Sequence, residues 1–500
     1  MKTSRTAISV LAWTLLAFAC AELGLRGAAL AWRPAYRSFS RPDSFPVYVV
    51  GESTAYGEPF APKISFPEIL SLMFGGRLNG RPLEVVNLAL PGSNTEAQYW
   101  LLLRELALRP RAEGVVLIYA GINETGQEPP PSRGALLADR SWLLSRFAWL
   151  LRGRGCLGLD YEHRLAKLAA LGRGYGYPVV LSTLAGNVKD FQPDVSRETI
   201  DDPERFAAYA RAKLEEKRGR WRAAEVLYAG LAVDGEDPGI LHRQARCLLE
   251  LGEYARAREL FQRAVDYGGT KRPTAAQDQS IRRVALRCGA ALADSRAVFE
   301  AAAVHGLPGR DLFTDAHHPN VRGYLLLAGS FARSLSRLYG VPLVLGRLTE
   351  AEVREKTGFS RQDQDEVYAS RFIWFCGEAY HRGDPEETLR TARRYLELAE
   401  RGCGRRLPAY RFLLALAARD LNGIRRGLAD QDAVRSDRER LGFLGCNAEW
   451  TAQLVKDAGL PKDLESQAQK LMDFAAAVSS CGLHKSSLNK VHVPRSSGKS

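Results

Sequence analysis

Short apolar runs alternate with amphipathic stretches over the first two fifths of the chain. Val47-Tyr48-Val49-Val50, Glu84-Val85-Val86-Asn87, Val115-Val116-Leu117-Ile118-Tyr119 and Pro178-Val179-Val180-Leu181-Ser182 are rich in Val, Leu and Ile and bounded by Gly, Pro or polar residues. Such continuous runs predict strands buried on both faces. Helical patterns from Phe66 to Phe74 and from Thr95 to Ala107 fall between them. Strand-helix alternation predicts an α/β domain with a parallel sheet covered on both sides. Ligands bind such sheets where the strand C-termini open into loops.

The pattern changes near Asp202. From there to about Ala264 the chain reads as helical with a repeat, because Gly219, Trp221, Ala224 and Tyr228 recur 33 positions later as Gly252, Tyr254, Ala257 and Phe261. A period this close to 34 resembles tetratricopeptide units, with small and aromatic residues where the helices of a pair pack; a generic pair of helical hairpins is the plainer reading. A short β run, Ala290 to Asp294, and a helix from about Val321 to Tyr339 return to the α/β pattern, so the repeats read as an insertion. The segmentation is 1–32 membrane anchor or signal segment, 33–46 linker, 47–201 first part of the α/β domain, 202–274 helical insertion, 275–345 second part, 346–478 C-terminal helical region and 479–500 disordered tail.

At the N-terminus, Lys2 and Arg5 precede an uncharged stretch from Thr6 to Ala21, and Glu22 and Arg26 interrupt a second apolar run. A spanning helix needs about 20 residues, which the segment reaches if those two charges snorkel to the far interface. It reads as an uncleaved single-pass anchor; cleavage near Ala29-Leu30-Ala31 as a signal peptide is the rival. With the positive end inside, the rest lies outside the cytoplasm, which in a bacterium places it in the periplasm on the inner membrane.

The 70 basic and 57 acidic residues give +13. The arginines are scattered among Ala and Leu, as on solvated helix faces, so nucleic acid is not expected as a partner and anionic lipid is the better match. The 8 cysteines form no CxxC or Cys/His cluster, which argues against a zinc site. An oxidising compartment permits a pair such as Cys247 with Cys288; buried free thiols are the alternative.

Four elements could carry chemistry. Ser53, in Gly51-Glu52-Ser53-Thr54, follows the first strand and is presented at the open sheet edge, though not in a GxSxG elbow. Gly92 lies in Asn87-Leu88-Ala89-Leu90-Pro91-Gly92-Ser93, where the missing Cβ lets a backbone N–H approach a ligand. Asn123 lies in Gly121-Ile122-Asn123-Glu124 and could turn its amide into the same crevice. In Asp315-Ala316-His317-His318-Pro319-Asn320, a carboxylate at i can orient an imidazole at i+3, leaving the other ring nitrogen for a nucleophile; His317 competes with His318 for that part. Singly, each is an ordinary turn residue.

Together, in this order, they resemble the SGNH/GDSL hydrolase superfamily over about residues 44–200 and 275–345. The resemblance implies a flavodoxin-like three-layer αβα fold. It implies Ser53 as nucleophile, His318 as general base and Asp315 as its orienter. The oxyanion hole it implies is Ser53 N–H, Gly92 N–H and the Asn123 side chain, with no metal or cofactor. Thr183 to Pro193 and the insertion look like an exported bacterial subgroup with tetratricopeptide-like repeats. Glu52 and Glu124 depart from the family's Asp at both places, which bears on turn packing. The expected activity is an esterase cleaving, or an O-acyltransferase transferring, acyl groups on carbohydrate or lipid esters, with a possible protein partner on the repeats. A non-catalytic envelope scaffold is the reading of a different class.

Overall fold

The computed structural model describes residue 20 and residues 44–108, 113–124, 160–232, 237–268, 272–343, 348–380, 382, 384–437 and 448–479. The expected anchor (apart from Cys20), most of the linker and the tail lie outside the described residues. No helix among the described residues is long and apolar enough to cross a membrane.

In chain order the α/β elements are β1 (Phe45–Gly51), α1 (Ser53–Tyr56), α2 (Phe66–Met73), β2 (Arg77–Leu78), β3 (Arg81–Asn87), α3 (Thr95–Leu108), β4 (Val115–Tyr119), α4 (Tyr161–Gly174) and β5 (Val179–Ser182). Helices α5 (Arg197–Asp201), α6 (Pro203–Lys217), α7 (Trp221–Ala232), α8 (Pro238–Glu250) and α9 (Tyr254–Tyr267) follow. The α/β pattern resumes with α10 (Ala275–Cys288), β6 (Ala291–Ala293), α11 (Ser295–Ala302) and α12 (Val321–Tyr339). Then come α13 (Glu350–Thr357), α14 (Arg361–Tyr380), α15 (Glu386–Cys403), α16 (Pro408–Ala417), α17 (Leu421–Ala429), α18 (Gln431–Ser436), α19 (Ala448–Asp457) and α20 (Lys462–Ser479). The described residues divide into two compact units, one drawn from Met1–Asn187 with Gly269–Val353, the other from Val188–Gly268 with Arg354–Ser500.

The first unit is built on one sheet of order β2-β3-β1-β4-β5-β6. Every residue of β1, β4 and β5 is buried, as their unbroken apolar runs require, whereas β3, expected to be buried like them, is only partly covered, with Pro82 and Asn87 exposed, because its outer neighbour β2 pairs with just its first two residues. β1 pairs in parallel with β3 on one side and β4 on the other, β4 with β5, and β5 with β6. Setting β2 aside, the parallel strands follow the doubly wound order of flavodoxin-like sheets, with the reversal at β1. The sheet is not wholly parallel as expected, because β2 is a short antiparallel edge strand on β3. The cause is readable in Asn79-Gly80, a two-residue turn with both φ positive (52° and 77°), the strongest short-range hairpin signal. Helix α2 packs on α12, where Phe66 and Phe331 stack 4.7 Å apart; α4 packs against α3 and α10. Starts are capped as sequence dictates: Asp160 caps α4, Thr274 and Gln277 form a capping box on α10, and Asn320 caps α12.

The second unit is all-helical. Three of the four recurring pairs are matched in burial: Gly219 and Gly252 are exposed, and Ala224, Tyr228, Ala257 and Phe261 are inaccessible to solvent; the fourth pair differs, with Trp221 half-buried and Tyr254 exposed. Val195, Tyr209, Ala212, Ala224, Tyr228, Ile240 and Cys247 share one core. Cys247 and Cys288 are both free thiols, one in each unit, so the pair entertained above is not formed.

Within this unit the turn between α14 and α15 is fixed by a buried ionic network. Asp384 accepts from Lys213 Nζ (2.9 Å), Arg243 Nη2 (2.8 Å) and the Tyr209 hydroxyl. Arg243 also reaches Glu216 (2.8 Å), which takes the Tyr228 hydroxyl. Burial works against the Asp384 charge, but Arg243 and Lys213 outweigh it and hold the carboxyl down at about 2. Its stabilising contribution is therefore complete above the ordinary carboxylate range and is lost as pH falls through about 2. Removing one partner of such a network leaves a buried guanidinium short of an acceptor, so Asp384→Ala should cost about 3–5 kcal/mol. Urea denaturation of the variant beside wild type at neutral pH measures this; a change under about 1 kcal/mol would show that the network contributes little.

Candidate active site

The site is assembled at the C-terminal edge of the sheet, where the strand order reverses. β1 ends at Gly51, paired with Tyr119 of β4. A Cβ at Gly51 would stand 2.1 Å from the Tyr119 carbonyl oxygen and 2.6 Å from Ala55, so only glycine lets the chain turn out of the sheet here. Two residues later Ser53 opens the single-turn helix α1, its side chain nearly buried.

The Asp315–His318 turn faces it. Asp315 Oδ1 accepts the backbone N–H groups of His317 (3.0 Å) and His318 (2.9 Å), an Asx-type turn that leaves Oδ2 for the imidazole. His318 Nδ1 lies 2.7 Å from Asp315 Oδ2, and His318 Nε2 lies 2.8 Å from Ser53 Oγ. A proton on Nδ1, where the carboxylate can take it, leaves Nε2 as acceptor for the serine hydroxyl; that tautomer follows from the hydrogen-bond partners. Of the two adjacent histidines, His318 faces Ser53. The His317 ring lies against it, tilted by 45° at 4.1 Å between ring centroids, and its backbone carbonyl accepts from Thr54 Oγ1 (3.4 Å).

Asp315, His317 and His318 also place donor atoms within 4.8 Å of one another, a grouping able to hold a metal ion. Both ring nitrogens of His318 are already committed, to Asp315 and Ser53, so a metal bound through either would break one of those bonds. The donor set fits proton transfer better.

The other two turns meet beside this line. β3 ends at Asn87, whose amide donates to the Ala55 carbonyl (3.2 Å) and whose carbonyl oxygen accepts from Ala89 N–H (3.1 Å). Gly92 follows, exposed, with φ 72°. Asn123, also exposed, spends one amide N–H on the Ser93 carbonyl (2.8 Å), which joins the Gly92 turn to the Asn123 turn. Gln98 ties both to β1, accepting from Gly51 N–H (3.0 Å) and donating to Ser93 Oγ (2.8 Å). Ser53, Asp315 and His318 are thus in contact, while Gly92 and Asn123 sit on joined turns after the two strands that flank β1.

No family model matches the sequence, and no curated protein matches it either. Similar solved structures include an acetylxylan esterase from Geobacillus stearothermophilus, at 12% identity and TM-score 0.29, covering 59% of this chain and 95% of that one. Protein YxiM from Bacillus subtilis is 14% identical at TM-score 0.30, covering 60% of this chain and 58% of its own. LAE5, an alpha/beta hydrolase enzyme from the metagenome of Lake Arreo, Spain, is 16% identical at TM-score 0.29, covering 60% and 99%. At this level of likeness the chemistry of the site is read from its own side chains.

Several residues that hold the site were not singled out from sequence. Asn187, in the Thr183–Pro193 segment, donates its amide to the Asp315 carbonyl (2.9 Å) and its backbone N–H to that of Ala316 (2.9 Å). Tyr324 of α12 donates within reach of the Thr54 (3.1 Å) and Glu58 (2.6 Å) carbonyls, and Gln277 donates to that of Gly121 (2.7 Å). Nothing local in sequence marks such partners, because each lies far along the chain. Glu52 and Glu124 stood out in the sequence, and both side chains are used. Glu124 accepts Thr95 N–H (2.7 Å) and pairs with Arg164; Glu52 accepts Gly121 N–H (2.8 Å) and Ile122 N–H (3.3 Å).

Glu52 is almost wholly buried, and burial pushes its carboxyl up to about 8; the Glu124 charge adds to the rise, and the two N–H groups oppose it. Tyr119 and Tyr161, whose hydroxyls are also pushed up by burial, interact with it. A carboxyl with a raised folded-state pKa holds its proton more firmly in the native chain than in the unfolded one, which titrates near 4.5. Its contribution to stability is therefore fully present below that value and is lost as pH rises through about 8. The melting temperature of wild type should fall between about pH 5 and 8 relative to Glu52→Gln, which cannot ionise. Parallel curves for the two proteins would show that Glu52 does not titrate in this window.

Proposed function

We propose that the α/β unit is a serine hydrolase of the SGNH/GDSL type, acting outside the cytoplasm on acyl esters of carbohydrates or lipids. The observation that carries this reading is the line Ser53 Oγ–His318 Nε2–Nδ1–Asp315 Oδ2, with hydrogen bonds of 2.8 and 2.7 Å. A serine hydroxyl is a weak nucleophile until a neighbouring base takes its proton, and this geometry supplies the base and the group that orients it.

In the proposed reaction His318 Nε2 takes the Ser53 proton as Oγ attacks the ester carbonyl carbon. The carbonyl oxygen becomes an oxyanion held by Ser53 N–H, Gly92 N–H and the second amide N–H of Asn123. His318 then gives its proton to the departing alcohol oxygen, leaving an acyl-Ser53 ester. Water, deprotonated by His318, releases the acid and restores the serine. If a sugar hydroxyl replaces water the same groups perform acyl transfer. No metal or cofactor enters these steps. The N-terminal segment would serve as a membrane anchor, and the paired helices α6–α9 as tetratricopeptide-like units that dock a protein partner. The matched burial of Ala224 with Ala257 and of Tyr228 with Phe261 supports that reading, and their spacing fits it. The scaffold alternative needs no triad, and an assembled Ser-His-Asp line weighs against it.

The full chain, solubilised in mild detergent, should hydrolyse p-nitrophenyl acetate. Ser53→Ala and His318→Ala should reduce this to background. Asp315→Asn should lower kcat by about 10³–10⁴-fold, and Asn123→Ala by about 10²–10³-fold. A folded wild type that neither turns over the ester nor reacts at Ser53 with a fluorophosphonate probe would sink the hydrolase reading. Acetate released from acetylated sugar without an acceptor favours the esterase; release only with an acceptor hydroxyl present favours the transferase.

A further inference from the structure

We infer that Glu52 is a positioning residue for acyl transfer, a clamp from the nucleophile's own neighbour onto the turn that carries Asn123. The inference rests on the hydrolase reading above and names a component that reading does not contain.

Glu52 is joined covalently to Ser53, and its side chain reaches sideways from the end of β1 to the end of β4. There its two oxygens take the N–H groups of consecutive residues, Gly121 at 2.8 Å and Ile122 at 3.3 Å. Asn123 is the next residue. One carboxyl thus sets the distance between the attacking oxygen and the amide proposed to receive the oxyanion. The opposite side of the same turn is held by Tyr161 Oη on the Ala120 carbonyl (2.8 Å) and Gln277 Nε2 on the Gly121 carbonyl (2.7 Å). These two fix the turn to the helical layer, whereas Glu52 fixes it to Ser53. Gly121 has φ 132°, and a Cβ there would fall 2.5 Å from Tyr161 Oη, so the turn is packed tightly against its outer support and has little freedom to re-seat itself. Misplacing a reacting group by about 1 Å can cost about 10²-fold in rate.

A direct proton-transfer part for Glu52 is at odds with its surroundings. It is 1% exposed, and both oxygens face backbone donors rather than the Ser53 hydroxyl. Its length also matters. Aspartate, one methylene shorter, would reach less far toward the two N–H groups, and the glutamate at 124 anchors the same turn onto Thr95 N–H.

The test uses the full chain with Glu52→Ala, Glu52→Gln and Glu52→Asp, reading kcat and KM separately on p-nitrophenyl acetate together with hydrogen exchange at the amides of Gly121 and Ile122. Glu52→Ala should lower kcat about 100-fold while KM stays within about twofold, and both amides should exchange faster. Glu52→Gln keeps one acceptor oxygen and the volume, so it should lose only about tenfold and exchange faster chiefly at one amide; it carries the test if the alanine variant fails to fold. Glu52→Asp should recover part of the alanine loss. Unchanged kcat with opened amides, unchanged exchange, or a loss confined to KM would each overturn the positioning role. Those outcomes all require an active wild type. A folded wild type lacking both turnover and Ser53 labelling instead removes the hydrolase reading itself, and exchange alone then decides whether the clamp exists.

Discussion

β1 is buried along its whole length between two parallel neighbours, and the architecture of the α/β unit depends on that placement. A strand with no solvent-facing side must find hydrogen-bond partners on both edges and apolar cover on both faces, which fixes β3 and β4 beside it and the helices above and below. Because β1 is where the strand order reverses, the connections leaving its neighbours diverge and open a crevice at its C-terminal end. Gly51 completes the constraint: the chain leaves the sheet in contact with the Tyr119 carbonyl, and Ser53 follows at the floor of the crevice.

Around that floor nearly every polar group is spoken for by another loop. The Asp315 turn is shaped by its own carboxylate and braced by Asn187, and the Ser53 turn is braced by Tyr324. The Gly92 and Asn123 turns are joined to each other and to Gln98. Each such bond contributes only about 1 kcal/mol net, but leaving a buried donor or acceptor unpaired costs more, so the set stabilises one arrangement against all near alternatives. Catalysis by oriented dipoles needs that kind of prior order, since donors that must reorganise during the reaction lose most of their effect. Glu52 illustrates the trade: burying a carboxyl beside a second one is unfavourable for its charge, and what it secures in return is a fixed spacing between β1 and β4.

The helical unit solves a different problem. Its helices are amphipathic and rich in arginine, so their apolar faces alone leave many charges near the packing surface. The Asp384 network resolves this by giving Arg243 carboxylate partners on two sides. The same network ties α6 and α8, which lie early in the unit, to the turn before α15, more than 130 residues further on. Gly383-Asp384-Pro385 reads in sequence as a weak repeat-like turn, and the burial of its carboxylate comes from contacts that no local pattern announces.

Local chemistry was enough for much of the α/β unit. The apolar runs placed β1, β3, β4, β5 and β6 within a residue or a few of their ends, and the helix predicted from about Val321 to Tyr339 is found there, capped by Asn320. Burial on both faces leaves a continuous hydrophobic run, and capping leaves a polar residue at a fixed place, so both are written into neighbouring residues. Ser53, Asp315 and His318 were legible as turn residues of the right chemical types. Asn79-Gly80 carries the β2–β3 hairpin in its own turn chemistry, but it was not among the elements predicted above, where strand-helix alternation suggested a wholly parallel sheet. Tertiary structure alone decided which histidine faces Ser53, because adjacent side chains on a turn point in different directions and only the folded backbone selects one. It alone decided the parts taken by Asn187, Gln98, Gln277, Tyr324 and Asp384, whose partners are remote in the chain. Hydrogen bonds act over about 3 Å in space and carry no trace of sequence separation; that is why Ser53, Asp315 and His318 could be named from the chain as candidates and the residues that hold their turns in place could not.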